Sequence, residues 1–363
     1  MRYYLIAGEA SGDLHGSLLI KALRKQDNSA KFRYWGGDLM AAEADGLEQH
    51  YKDTSFMGFV EVLKNIGTIR KLFKLCKTSI RAFNPDIIIF IDYPGFNLRM
   101  AAWAHEENYK SYYYIIPQVW AWKSGRVHQL KKYCNGICTI LPFESKFLKK
   151  HGVDSSYYGH PLMEVILSKE TQAKEEKIAL LPGSRKQEIK NHLPLLLELS
   201  KEYAVYKFVI AGRSEIGKDF YTKFLDSYPN VEIVWNNTYA LLEISKAAII
   251  SSGTASLEAC LLNTPQVVIY KGNKLSYLIA KRLVHLNHIS LVNIIKGSEV
   301  LRELIQDDYQ LSHLKSALDE LLDNGDYTRT MLQEYQNVKA MLGNGSVSRS
   351  VASEIKQIAG EIH

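Results

Sequence analysis

Arg2-Tyr3-Tyr4-Leu5-Ile6-Ala7-Gly8-Glu9-Ala10-Ser11-Gly12-Asp13-Leu14-His15-Gly16 decides the fold. Residues 2–7 are an apolar run of strand length, and a helical pattern occupies residues 14–25. The turn between them is rich in small residues. Strand, tight turn and helix make the opening of a βαβ unit.

The same grammar repeats. Strand-like runs at residues 31–34, 86–91, 111–116, 136–141 and 156–158 alternate with helical patterns near 60–77, 98–107, 125–132 and 144–150. Such alternation means a parallel sheet with helices on its faces. Gly159-His160-Pro161 closes this half, and residues 168–177 are polar, without apolar period, and read as a linker. A second series follows at residues 178–181, 207–210, 231–235, 247–250 and 266–269, with a helical region from Leu311 onward. The expected architecture is α/β, with two doubly wound halves that enclose a cleft. Ligands of such sheets gather at the carboxyl ends of strands.

Composition narrows the class. The 363 residues are 46% hydrophobic and 23% charged, ordinary globular values for two domains. No run approaches the roughly 20 apolar residues that span a bilayer. The N-terminus lacks a signal-peptide layout, so a cytoplasmic location is expected. Cys76, Cys134, Cys138 and Cys260 have neither zinc spacing nor the density of a disulfide framework. A net charge of +6 suits anionic partners such as phosphorylated substrates or acidic lipid heads. No nucleic-acid motif is present.

The strand ends carry the chemistry. The turn at Gly8–Asp13 offers amides and a helix dipole to an anion, or is a tight βα turn capped by Ser11 or Asp13. Its spacing is not the dinucleotide fingerprint. Asp92 directly follows Ile87-Ile88-Ile89-Phe90-Ile91. It is either a partly desolvated base or a residue that orders the Pro94-Gly95 turn. Pro117-Gln118-Val119-Trp120-Ala121-Trp122 lines an acyl pocket or belongs to the core. Pro182-Gly183-Ser184-Arg185 opens a second helix, where a guanidinium fork matches phosphate. Ser251-Ser252-Gly253-Thr254-Ala255 opens a third, with Glu258 one turn on, suited to a ribose diol or to the helix N-terminus itself. Two anion-ready turns in one half favour a nucleotide diphosphate.

Taken in order, Gly8–Asp13, Gly36-Gly37-Asp38-Leu39-Met40, Ile91–Asn97, Pro117–Trp122, Leu181–Arg185 with Glu188, Ser252–Ala255 with Glu258, Ser290-Leu291-Val292-Asn293-Ile294 and Glu303-Leu304-Ile305-Gln306 resemble the lipid-A-disaccharide synthase family. The resemblance runs from about residue 5 to 306. It implies the GT-B fold: two Rossmann-like domains, 1–165 for acceptor and membrane and 166–345 for the UDP-sugar, with a helix at 346–363 returning to the first domain. It implies an inverting transfer from UDP-2,3-diacylglucosamine to the 6-hydroxyl of 2,3-diacylglucosamine 1-phosphate.

Residue roles follow from the resemblance. Asp92 is the base and Glu9 a second functional carboxylate. Substrate contacts are implied at Ser11, Gly12, Asp13, Gly183, Ser184, Arg185, Glu188, Ser252, Gly253, Thr254, Ala255, Glu258, Asn293 and Gln306. His15 defaults to a solvent-facing helix position. No Asp-x-Asp occurs, which fits a site that uses no metal, and no cofactor is expected. Rival readings are a lipid II-forming glycosyltransferase, a UDP-N-acetylglucosamine epimerase, or a non-catalytic nucleotide-binding membrane adaptor.

Acylated substrates require contact with a bilayer. Leu63, Ile66, Ile69 and Phe73 recur at helical spacing beside Arg70, Lys71 and Lys74. This basic amphipathic stretch is either a core helix with a solvated back or a peripheral anchor on an anionic membrane. Given the substrates, the expectation is docking on the inner face of the inner membrane, as a monomer or homodimer.

Overall fold

The computed structural model describes residues 1–53, 66–120, 125–166, 172–225, 227–272 and 287–361. The chain divides into two units, residues 1–164 with 343–363 and residues 165–342.

The first unit runs β1 (Arg2–Ala7), α1 (Ala10–Gln26), β2 (Lys31–Gly36), α2 (Asp38–Glu43), β3 (Leu47–His50) and α3 (Ile66–Phe83). It continues with β4 (Ile87–Ile91), α4 (Pro94–Glu106), β5 (Ser111–Tyr114), α5 (Arg126–Tyr133), β6 (Gly136–Thr139), α6 (Glu144–Lys150) and β7 (Ser156–Tyr157). A short helix, α7 (Leu162–Ile166), reaches the boundary.

The second unit comprises β8 (Glu175–Leu181), α8 (Lys186–Ser200), β9 (Lys207–Gly212), α9 (Lys218–Thr222), β10 (Val231–Trp235), α10 (Thr238–Ile244) and β11 (Ser245–Ser251). Then come α11 (Thr254–Leu261), β12 (Gln266–Tyr270), α12 (Leu291–Lys296), β13 (Glu303–Ile305), α13 (Leu311–Leu322) and α14 (Asp326–Leu342). The last helix, α15 (Val347–Gly360), belongs to the first unit.

Both sheets are parallel. Among the described residues the first has seven strands in the order β3-β2-β1-β4-β5-β6-β7, and the second six in the order β10-β9-β8-β11-β12-β13. The β4 run Ile87–Ile91 is buried throughout, as a strand covered on both faces must be. Alternation sorts its side chains. Ile88 and Phe90 join Tyr4, Ile6, Tyr113, Phe96 and Trp103 on one face. Ile87, Ile89 and Ile91 join Tyr3, Leu5, Tyr112 and Tyr114 on the other. Leu19 and Ile20 of α1 cover that second face together with Val347, Val351, Ala352 and Ile355 of α15.

Strands β3 and β13 escape the sequence reading because both are short edge strands. Their side chains are mostly half-exposed, so no apolar alternation marks them. Residues 175–177, read as linker, begin β8 instead, because Lys177 and Ile178 pair with Lys207 and Phe208.

In each sheet the strand order reverses once between neighbours, at β1/β4 and at β8/β11. Loops leave such a point in opposite directions and open a crevice above the strand ends. The turns carrying Glu9 and Asp92, and those carrying Arg185 and Thr254, leave their sheets at these two points.

Candidate active site

In the first unit Ala7 pairs with Ile91, so Gly8-Glu9 and Asp92 leave the sheet side by side. A side chain at Gly8 would stand 2.3 Å from the Tyr93 ring, so only glycine lets Tyr93 lie there. Asp92 and Tyr93 both adopt left-handed backbone, at φ 45° and 48°. Such conformations cost on the order of 1–3 kcal/mol each and persist only where neighbours enforce them. Asn97 and Tyr113 do so. The Asn97 amide donates to the carbonyls of Asp92 (2.8 Å), Ile6 (3.2 Å) and Ile91 (3.3 Å), and the Tyr113 hydroxyl donates to Asp92 O at 2.8 Å. Both residues are fully buried. Sequence reading missed them as the holders of this turn.

Burial pushes the Asp92 carboxyl up to about 7, and the negative charge of Glu9 adds to the shift. This is the environment of a base that accepts a proton near neutrality. A third carboxyl, Glu144, was also missed. Burial raises it to about 7, against the opposing pull of the Leu141 amide and the Trp120 indole, with Asp92 adding a small repulsion. Its oxygens accept from Trp120 Nε1 at 2.8 Å and from the amides of Leu141 (3.0 Å) and Ile140 (3.2 Å). Val119 is core, whereas 121–124 lie outside the described residues.

Other residues of the first turn have structural duties. Asp13 is buried, and its carboxylate accepts from the amides of Gly37 (2.7 Å), Leu39 (3.1 Å) and Met40 (3.1 Å). It caps α2. Gly12 serves packing, since a Cβ there would lie 3.1 Å from that of Ala7. Ser11 is exposed at the start of α1. His15 is buried, not solvent-facing, and its Nδ1 has no hydrogen-bond partner among the described residues. Burial lowers it to about 4.

In the second unit Gly183 has φ +128°, and a side chain there would collide with Glu188. Glu188 Oε2 accepts from the amides of Ser184 (2.8 Å) and Arg185 (3.2 Å). The amides expected to cradle an anion are therefore engaged by the helix's own third-position acid, as in a capping box. The Arg185 guanidinium remains largely exposed, 3.8 Å from Glu188. Behind it, buried His192 accepts the Lys271 amide on Nε2 (3.0 Å), so Nδ1 carries the proton and donates to Pro182 O at 2.8 Å. It ties the ends of β8 and β12 together.

The β11 turn differs. Gly253 has φ +152° with nothing within 4 Å of a Cβ position, and Gly253 and Thr254 are exposed. Ser252 is anchored through its amide to Ile269 O (3.0 Å) and through Oγ to Ile289 O (3.1 Å). Half-buried Ala255 lies in the first turn of α11. One turn on, Glu258 accepts the Tyr239 hydroxyl at 3.0 Å. Burial raises this carboxyl, opposed by Tyr239 and by Arg213 from the end of β9.

Asn293 has a structural duty. It is fully buried, its oxygen accepts from Val300 (2.8 Å) and Leu301 (3.1 Å), and its nitrogen donates to Leu301 O and Glu303, both at 2.9 Å. All its capacity is used to fold its own loop. Gln306 contrasts with it: left-handed at φ 54°, its Nε2 is buried without a partner among the described residues.

Of the basic amphipathic stretch, Leu63 lies outside the described residues. Ile66 begins α3, where Ile69 is half-buried and Arg70, Lys71 and Lys74 are exposed. Half-buried Phe73 stacks on Phe96 with ring centroids 4.4 Å apart. Leu75, not singled out by spacing, is 48% exposed. Among the described residues no helix is long and apolar enough to cross a membrane.

The sequence model of a family described as lipid-A-disaccharide synthetase matches residues 3–358. A lipid-A-disaccharide synthase of Trichlorobacter lovleyi is 35% identical over 97% of this chain and 96% of its own length. Those of Geobacter sulfurreducens and Coxiella burnetii are 33% and 32% identical, over 99% and 98% of this chain and 98% and 97% of their own. Among solved structures, the UDP-GlcNAc 2-epimerase of Neisseria meningitidis bound to UDP-GlcNAc superposes with a TM-score of 0.70 at 13% identity, covering 98% of this chain and 100% of that one. The glycotransferase of kitacinnamycin gives 0.64 at 15%, covering 98% of each chain. These two likenesses concern the fold, which is GT-B.

Proposed function

This chain belongs to the lipid-A-disaccharide synthetase family and is a glycosyltransferase of lipid A biosynthesis; on that premise we propose that it joins UDP-2,3-diacylglucosamine to 2,3-diacylglucosamine 1-phosphate. The oxygen of the acceptor's 6-hydroxyl attacks the anomeric carbon of the donor. The bond from that carbon to the diphosphate breaks, the configuration inverts, and UDP departs.

Asp92 takes the hydroxyl proton. The observation that carries this reading is its carboxyl, raised to about 7 by burial beside Glu9, at the β1/β4 reversal. A positioned base contributes roughly 10²–10⁴-fold. Glu9 keeps the proton affinity of Asp92 high and orients the acceptor. In the second unit, Arg185 and the open start of α11 at Ser252–Ala255 hold the diphosphate and stabilise the charge that grows on it. Gly183, Ser184 and Glu188 shape the turn that presents Arg185. Glu258 receives the ribose hydroxyls, and the amide of Gln306 supplies a further donor to the UDP-sugar.

The test uses purified protein with both acylated substrates. Disaccharide and UDP appear in equal amounts, and Asp92→Asn nearly abolishes turnover while UDP still binds. Wild-type turnover in that variant rejects Asp92 as the base.

The substrates' acyl chains bring the enzyme to the cytoplasmic face of the inner membrane. Exposed Arg70, Lys71 and Lys74, flanked by Leu75, supply the contact with anionic lipid. Changing Lys71 and Lys74 to Glu reduces sedimentation with anionic vesicles; unchanged sedimentation argues against this face.

A further inference from the structure

In the first unit a cavity of about 220 Å³ opens between α4 and α5. Its wall includes Pro94, Gly95, Arg99, Arg126, Gln129 and Tyr133, and none of the described residues lining it is acidic. Resting on the reaction given above, we propose that this cavity receives the phosphomonoester of the acceptor sugar, with Arg99 and Arg126 as its charged contacts.

The chemistry of the wall selects the ligand. A guanidinium presents a planar fork that pairs two phosphate oxygens at once. Two such forks, with an amide and a phenol as further donors, match a group that carries close to two negative charges and only acceptor oxygens. Arg99 is exposed on α4, its guanidinium 6.0 Å from the centroid of the Phe73 ring. Arg126 is half-buried at the start of α5.

The location selects the source. Pro94 and Gly95 follow Asp92 and Tyr93 in the same turn. The positive charge of Arg126 slightly opposes the rise of the Tyr113 phenol, which holds the Asp92 carbonyl. The cavity thus begins at the residues that directly follow the base in sequence. In a glucosamine 1-phosphate the phosphate and the 6-hydroxyl flank the ring oxygen of a single pyranose. A phosphate seated between Arg99 and Arg126 leaves the hydroxyl at the other side of that ring, toward the turn of Asp92. A membrane headgroup shares the phosphate chemistry but has no hydroxyl to deliver there.

The experiment combines turnover, binding and sedimentation for wild type, for the double variant Arg99→Gln/Arg126→Gln, and for Arg99→Lys/Arg126→Lys. Acceptor and its counterpart lacking the 1-phosphate are compared at fixed donor. In the Gln variant kcat/KM for the phosphorylated acceptor falls on the order of 10–100-fold, chiefly through KM. Turnover of the dephosphorylated acceptor falls far less, and Arg99→Lys/Arg126→Lys recovers part of the loss. An equal fall for both acceptors, or none, overturns the proposal.

Calorimetric titration with glucosamine 1-phosphate is read independently of turnover. Binding to wild type that disappears in the Gln variant supports the cavity even if no disaccharide forms, in which case only the reaction is rejected. Absent wild-type binding, or equal binding to both proteins, overturns it. Loss of sedimentation with anionic vesicles in the Gln variant, with acceptor preference intact, assigns the arginines to lipid headgroups and also overturns it.

Discussion

The two strand-order reversals share one topology and have opposite electrical characters. At β1/β4 the exits carry acids, Glu9 and Asp92, set in a strained turn where burial makes a proton welcome. At β8/β11 the exits carry a guanidinium and an open helix start, with the acids Glu188 and Glu258 engaged by an amide pair and a tyrosine hydroxyl. A doubly wound sheet supplies a place, and the residues just beyond the strands decide whether it moves a proton or holds an anion.

If that division is correct, losses on the two sides differ in kind. The largest effect falls on Asp92. Its replacement by Asn lowers kcat by roughly 10²–10⁴ and leaves UDP affinity unchanged by titration. Arg185→Ala is the converse. It weakens UDP binding on the order of 10–100-fold, the value of a charge-assisted contact, and Arg185→Lys restores only part. Equal effects of both variants on UDP affinity would erase the contrast.

The pH profile separates the sides further. With Asp92 raised to about 7, kcat/KM falls about tenfold from pH 8 to pH 6 as the base becomes protonated. Glu9→Gln removes a negative neighbour, lowers the proton affinity of Asp92 and moves the acid limb to lower pH. UDP binding measured alone does not follow that limb.

Stability gives the smaller effects. Asp92 binds its proton more tightly folded than unfolded, where its ordinary value is 3.8. Its contribution therefore favours the fold at low pH and is lost as pH rises toward 7. Asp92→Asn raises the melting temperature by a few degrees at pH 8 and leaves it unchanged near pH 3. Glu188→Ala removes the cap of the Arg185 turn and costs about 0.5–2 kcal/mol, read as a lower melting temperature with a smaller loss of UDP affinity than Arg185→Ala.

The sequence showed the alternation of strands and helices and the turns at their ends because both are local patterns. Asp92 stood out at the end of an apolar run for the same reason. What a polar side chain faces is settled by segments distant in the chain. That Asp13 holds the start of α2 depends on a helix some twenty-five residues on coming to lie against it. That Asn293 orders its own loop depends on the stretch before β13 closing on it. Asn97 was noticed only as the end of a motif, and Tyr113 only as part of a strand, because their partner is a backbone carbonyl in a left-handed turn, which no side-chain pattern reports. Glu188 was noticed as part of a motif, but its duty follows from the positive φ of Gly183.

The placement of α15 sets an order of events during synthesis. Val347, Val351, Ala352 and Ile355 cover a face of the first sheet, yet they leave the ribosome after the entire second unit. The portion translated earliest is thus the last to be finished. Until then its apolar surface is an opportunity for chaperones, and a stalled or truncated chain displays it permanently.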